Sequence, residues 1–107
     1  MLKKVNRLAK AKDIAAAFAR GRNFFNPFFS IKFLPKPQER QFTVVISTKV
    51  FKKAHDRNRL KRLLREHIRT RLTGFKTGSY VIMAKPKAAQ LSEADRLQNF
   101  KQLIGKI

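Results

Sequence analysis

The chain has 107 residues, enough for one domain with a small core, and 43% of them are apolar. It carries 26 Lys and Arg against 6 Asp and Glu, a formal charge of +20, so a compact form repels itself and calls for a polyanionic partner. The lack of Cys excludes disulfides and thiolate zinc sites and suits a reducing cytoplasm. No apolar run approaches the ~20 residues of a membrane span, and the basic N-terminus has no apolar stretch like that of a secretory signal.

Residues 1–8 read as a flexible basic arm. A helix is predicted from about Lys12 or Asp13, where Asp13 can cap orphan amides or answer the positive helix end. It runs through Ile14 and Phe18, which share a face, and stops at Gly21. Arg22 to Pro27 is a connector with room for a short extra strand. From Phe28 to Leu34, Phe29, Ile31 and Phe33 alternate with Ser30 and Lys32, as in a strand with one buried face. Pro35 and Pro37 end it, and Lys36 to Gln41 is a polar loop. Phe42 to Ser47 is a β-branched second strand, and the two read as an antiparallel pair. A basic helix follows, capped by Asp56, starting near Arg57 and ending after Leu72 with Gly74 as its stop. Ser79 to Ala84 is a third strand, broken by Lys85-Pro86. Ser92, with Glu93 and Asp95 in the first turn, opens a last helix that presents Leu97, Phe100, Leu103 and Ile104 on one side. The order α-β-β-α-β-α predicts a single α+β domain over residues 1–107, a mixed β-sheet packed with helices.

The stretch from Lys49 to Leu72 is the most informative. Ten of its residues are Lys or Arg, and its only acids are Asp56 and Glu66. At about 100° per residue, Leu60, Leu63, Leu64, His67, Ile68, Arg71 and Leu72 fall on one side. Asn58, Arg59, Lys61, Arg62, Arg65, Glu66 and Arg69 fall on the other, a strip roughly 24 Å long. A solvated face normally interleaves acids with its bases. Arginine's planar fork suits phosphate, so this face is predicted to contact nucleic acid, with a lean to RNA. Catalytic groups are scarce. The acids are Asp13, Glu39, Asp56, Glu66, Glu93 and Asp95, with no clustering of the kind a two-metal nuclease needs. His55 and His67 lack obvious ligand companions, and His67 falls on the buried side. No Gly-rich phosphate loop is present. The prediction is a docking surface with no catalytic residue and no metal ligand.

The segment Ala54–Glu66, AHDRNRLKRLLRE, resembles the signature of the bacterial ribonuclease P protein family: Arg57, Asn58 and Arg59, one variable residue, then Lys61, Arg62, Leu63, Leu64, Arg65 and Glu66. Asn6-Arg7-Leu8, Lys12-Asp13, Phe18 and Arg20-Gly21-Arg22 look like the family's opening helix and turn. Ile46-Ser47-Thr48-Lys49 and Val81 to Pro86 sit where it has strand segments. Two positions depart from it. Val50 to Ala54 holds no glycine where the family often has one, and Ile14 stands where an aromatic is common.

The resemblance implies a left-handed β-α-β crossover through the basic helix, similar to a domain of a ribosomal protein. It also implies a protein cofactor of a catalytic RNA, in a holoenzyme that cleaves the 5′ leader from precursor tRNA. The implied partners are the catalytic RNA subunit and precursor tRNA. Mg2+ in such a holoenzyme is implied to be held mainly by RNA. The chain's own self-repulsion, separately, leads to the expectation that anions such as sulfate or phosphate stabilise the fold by binding the native state. The implied RNA contacts are Lys49, Lys53, Arg57, Asn58, Arg59, Lys61, Arg62, Arg65 and Arg69, with leader contacts at Ile14, Phe18, Arg22 and Lys32. A structural RNA-binding protein, such as a ribosomal component, is the alternative.

Overall fold

The computed structural model describes residues 2–107. Strand β2 (Phe29–Pro35) buries Phe29, Ile31 and Phe33 and turns Ser30, Lys32 and Leu34 the other way, as the alternation predicts. Strand β4 (Gly78–Ala84) is different, because Ser79, Tyr80, Val81 and Ile82 are all buried. A strand apolar on both faces belongs inside a sheet. It lies between β2 and strand β3 (Arg40–Val45), antiparallel to the first and parallel to the second. The antiparallel pairing expected of β2 and β3 is therefore absent.

A parallel pair needs a crossover. It is supplied by helix α2 (Ala54–Thr70), which lays Leu60, Leu64 and Ile68 on the sheet. The last helix, α3 (Glu93–Ile104), adds Phe100, Leu103 and Ile104 to the same core. Its cap is as predicted, with the Asp95 amide donating to Ser92 Oγ at 3.2 Å. Phe42 stacks on Tyr80 with ring centroids 4.5 Å apart. Burial pushes the Tyr80 hydroxyl up to about 12, and it donates to the Lys76 carbonyl at 2.6 Å.

Helix α1 (Ala11–Arg20) covers the opposite face with Ile14 and Ala17, against Leu8, Leu34, Val81 and Met83. Asp13 sits in its first turn, while Lys10 holds the cap position. Gly21 does end the helix, but at φ −73°, outside the left-handed region. A Cβ there would stand 2.3 Å from the Ala17 carbonyl oxygen and 3.1 Å from that of Phe33. Close approach selects this glycine.

The segment from Arg22 is more than a connector. Strand β1 (Arg22–Phe25) pairs antiparallel with β2, which realises the extra strand. Asn26 Oδ1 accepts the amides of Phe28 at 2.8 Å and Phe29 at 2.7 Å and turns the chain between them.

Residues 2–8 are not a loose arm either. Leu2 and Leu8 are buried, Arg7 forms a parallel bridge with Phe42, and Asn6 Nδ2 donates to the Arg40 carbonyl at 2.9 Å. Two leucines among the basic residues are enough to dock the segment along the open edge of β3, where unpaired backbone groups await partners. Met1 of the predicted arm lies outside the described residues.

Candidate nucleic-acid interface

Helix α2 starts at Ala54, three residues before the predicted start at Arg57, with Lys53 at the cap position. Asp56 is a first-turn acid facing the helix dipole. Arg57 closes the entry turn itself, Nη1 donating to the carbonyls of Phe51 at 2.9 Å and Lys52 at 2.8 Å. No non-glycine residue among those described has positive φ, so the lead-in from Val50 needs no glycine. The helix ends at Thr70, and Leu72–Gly74 form a short 3-10 turn beyond it.

The predicted division of α2 holds in its main lines. Leu60, Leu64 and Ile68 are buried, with Leu63 and His67 half-buried beside them. Burial, with the charges of Lys101 and Arg71, lowers the His67 pKa below its ordinary 6.5. Its ring lies edge-on to Phe100 and Phe75, at 5.9 and 6.4 Å. Arg71, placed on the buried side by its angle, is exposed because the helix has already ended, and Lys61 is half-buried.

Outward, His55, Asn58, Arg62, Arg65 and Arg69 follow one another at helical spacing, all exposed. Shallow concavities run along this stripe, one walled by His55, Asn58, Arg59 and Arg62, the next by Asn58, Arg62, Arg65 and Glu66. Arg69 is paired with Glu66 one turn back, which holds the Glu66 carboxyl below its usual range and raises Arg69. Arg59 reaches across to Glu93 on α3, Nη2 to Oε2 at 3.2 Å and Nε to Oε1 at 3.4 Å. Among the described residues Arg62 and Arg65 have no hydrogen-bond or ion-pair partner. Lys49 and Lys53 are exposed just before the helix. Sequence reasoning missed His55, an isolated exposed histidine, and Glu93, 34 residues from its partner.

The other predicted surface lies on the α1 side of the sheet. Register places Asn23, Lys32, Val81 and Thr43 in one row across the four strands, and Phe25, Ser30, Met83 and Val45 in the next. Helix α1 covers only part of these rows. Phe18 is 44% exposed, Phe25 63% and Val45 47%, and Lys85 Nζ stands 4.9 Å from the Phe25 ring centroid. Ile14 packs on this side of the sheet and Lys32 projects from it, while Phe18 stands exposed on α1. Arg22 does not join them, because it pairs in register with Phe33 and so points to the α2/α3 face, over the Phe24 ring.

Among the described residues no group of three or more His, Asp or Glu stands together. No described helix is long and apolar enough to cross a membrane.

Together the four-stranded mixed sheet, the crossover helix and its cationic outer stripe define a class of small basic α+β protein. The family model for ribonuclease P matches residues 2–107. The ribonuclease P protein component of Dehalococcoides mccartyi is 38% identical over 106 residues, covering 98% of this chain and 87% of that one. That of Bacillus velezensis is 31% identical, covering 98% and 91%. The solved RNase P protein of Staphylococcus aureus superposes with a TM-score of 0.89 over 96% of this chain and 95% of its own, at 17% identity, a likeness of fold. The chain belongs to the ribonuclease P protein family. It is a protein subunit of the ribonucleoprotein that processes tRNA.

Proposed function

We propose that the outer stripe of α2 docks on the catalytic RNA subunit, and that the groove between α1 and the sheet takes the single-stranded 5′ leader of precursor tRNA. The observation that carries the first half is the pair Arg62 and Arg65. They stand exposed beside Asn58, with no partner among the described residues, on a stripe made rigid by its buried seam. Two such guanidiniums are free for bidentate contacts to successive phosphates. Lys49, Lys53, Lys61 and Arg69 extend the same positive field, and Arg57 contributes by setting where the helix begins.

The groove supports the second half by its chemistry. Phe18 and Phe25 offer ring faces to unstacked bases, and Lys32 and Lys85 offer charge to the backbone between them. Hydrolysis belongs to the RNA, which also holds the magnesium ions, and the protein works where its RNA is made, in the cytoplasm. Reconstitution with the cognate catalytic RNA and labelled precursor tRNA tests the reading. The protein should lower the magnesium requirement and raise the affinity for substrates that carry a leader. A protein that changes neither refutes it.

A further inference from the structure

Two acids border the cationic stripe, and each is already engaged with one of its arginines. Glu66 is on the stripe itself. Glu93 arrives from α3, and nothing in the local sequence of α2 announces it. Its position is well determined. Ser92 caps α3 from the preceding residue. Arg96, one turn on, donates to the carbonyls of Ala88 at 2.7 Å and Ala89 at 3.0 Å and lies 4.9 Å over the Phe51 ring. Arg57 ties the start of α2 to the carbonyl of that same Phe51. The two helix starts are thus anchored to one point, and Glu93 meets Arg59 across a cleft that also includes Asp56 and Leu60.

We infer that Glu93 is an affinity-tuning residue of the docking face: it occupies Arg59 in the free protein as a phosphate would, and RNA must displace it to use Arg59. The geometry is that of a carboxylate standing in for a phosphate, two oxygens facing Nε and Nη2. The side chains are 65% and 45% exposed, so the pair is weak and open to exchange. A polyanion that offers no phosphate at the Arg59 position leaves the pair intact and gains nothing from it. RNA that places one there exchanges partners, and Glu93 is left to solvent and to the positive end of α3.

The inference rests on the docking reading above, and a double-mutant cycle separates the two. Binding of the cognate catalytic RNA to the full chain is measured across a salt series. Glu93→Gln should bind about two- to five-fold tighter at low salt, with a salt slope steeper by up to about 0.9. The gain should vanish in an Arg59→Ala background. Glu93→Asp keeps the charge at the helix start but withdraws the carboxylate by one methylene, so it should behave like Glu93→Gln. Circular dichroism of each variant checks that α3 is retained. A gain that persists without Arg59, a Glu93→Asp protein that binds like the parent, or weaker or unchanged binding by Glu93→Gln would each overturn the inference. Arg62→Ala with Arg65→Ala tests the docking reading separately. If that pair leaves affinity intact, the reading fails whatever the cycle shows.

Discussion

At the scale of single residues, two positions convert local geometry into measurable stability. Gly21 sits where a Cβ would run into the Ala17 carbonyl. Gly21→Ala should therefore destabilise by about 1–3 kcal/mol, since backbone, unlike a flexible side chain, cannot step aside. Urea denaturation should show a lower midpoint with an unchanged m value. His67 makes a prediction in pH. Its pKa is lowered in the folded protein, chiefly by burial, so the native state prefers the neutral ring. As pH falls, the unfolded chain takes up the proton first. The stability tied to His67 is present above its ordinary value of 6.5 and is lost as pH drops through 6.5 toward the lower folded value. Thermal midpoints should fall between pH 7.5 and 5.5, and His67→Phe, with an apolar ring between Phe75 and Phe100, should flatten that dependence.

At the scale of elements, α2 and α1 are expected to fail differently. Arg62→Ala with Arg65→Ala should weaken binding to the catalytic RNA and make its salt slope shallower by about 1.5, the equivalent of two lost phosphate contacts. Phe18→Ala removes a half-exposed ring from α1 and leaves α2 alone. It should lower affinity for precursor tRNA with a leader, by about 1–3 kcal/mol if a base stacks there, and spare a leaderless substrate. If both variants show the same signature, the two surfaces are not separate. Within the Arg-Asn-Arg motif the structure distinguishes three roles that the motif itself does not. Arg57 is bonded to its own entry turn, Asn58 faces out, and Arg59 is held by α3. A helical wheel predicts angle. It does not show which guanidinium a neighbouring carbonyl or carboxylate has already engaged.

At the scale of the whole molecule, a charge of +20 is held within a radius of gyration of 12.9 Å, about the size of any folded 100-residue domain. Self-repulsion at that density should make the free protein sensitive to anions that bind the native state. Millimolar sulfate is expected to raise the thermal midpoint in a saturable manner, beyond chloride at equal ionic strength. An identical response to both salts would reduce the effect to screening.

The sequence alone was enough for the class of fold, the buried seam and exposed stripe of α2, the one-sided β2 and the cap of α3. Each of these is a local pattern, legible from periodicity or from a residue's nearest neighbours in the chain. Tertiary structure decided what depends on partners distant in sequence. It inserted β4 between β2 and β3, because only β4 is apolar on both faces, and docked residues 2–8 on the edge of β3 through Leu2 and Leu8. By register, it turned Arg22 away from Lys32. It also brought Glu93 to Arg59, a contact that no periodicity encodes because its two halves lie on separate helices whose starts meet only when the sheet beneath them has formed.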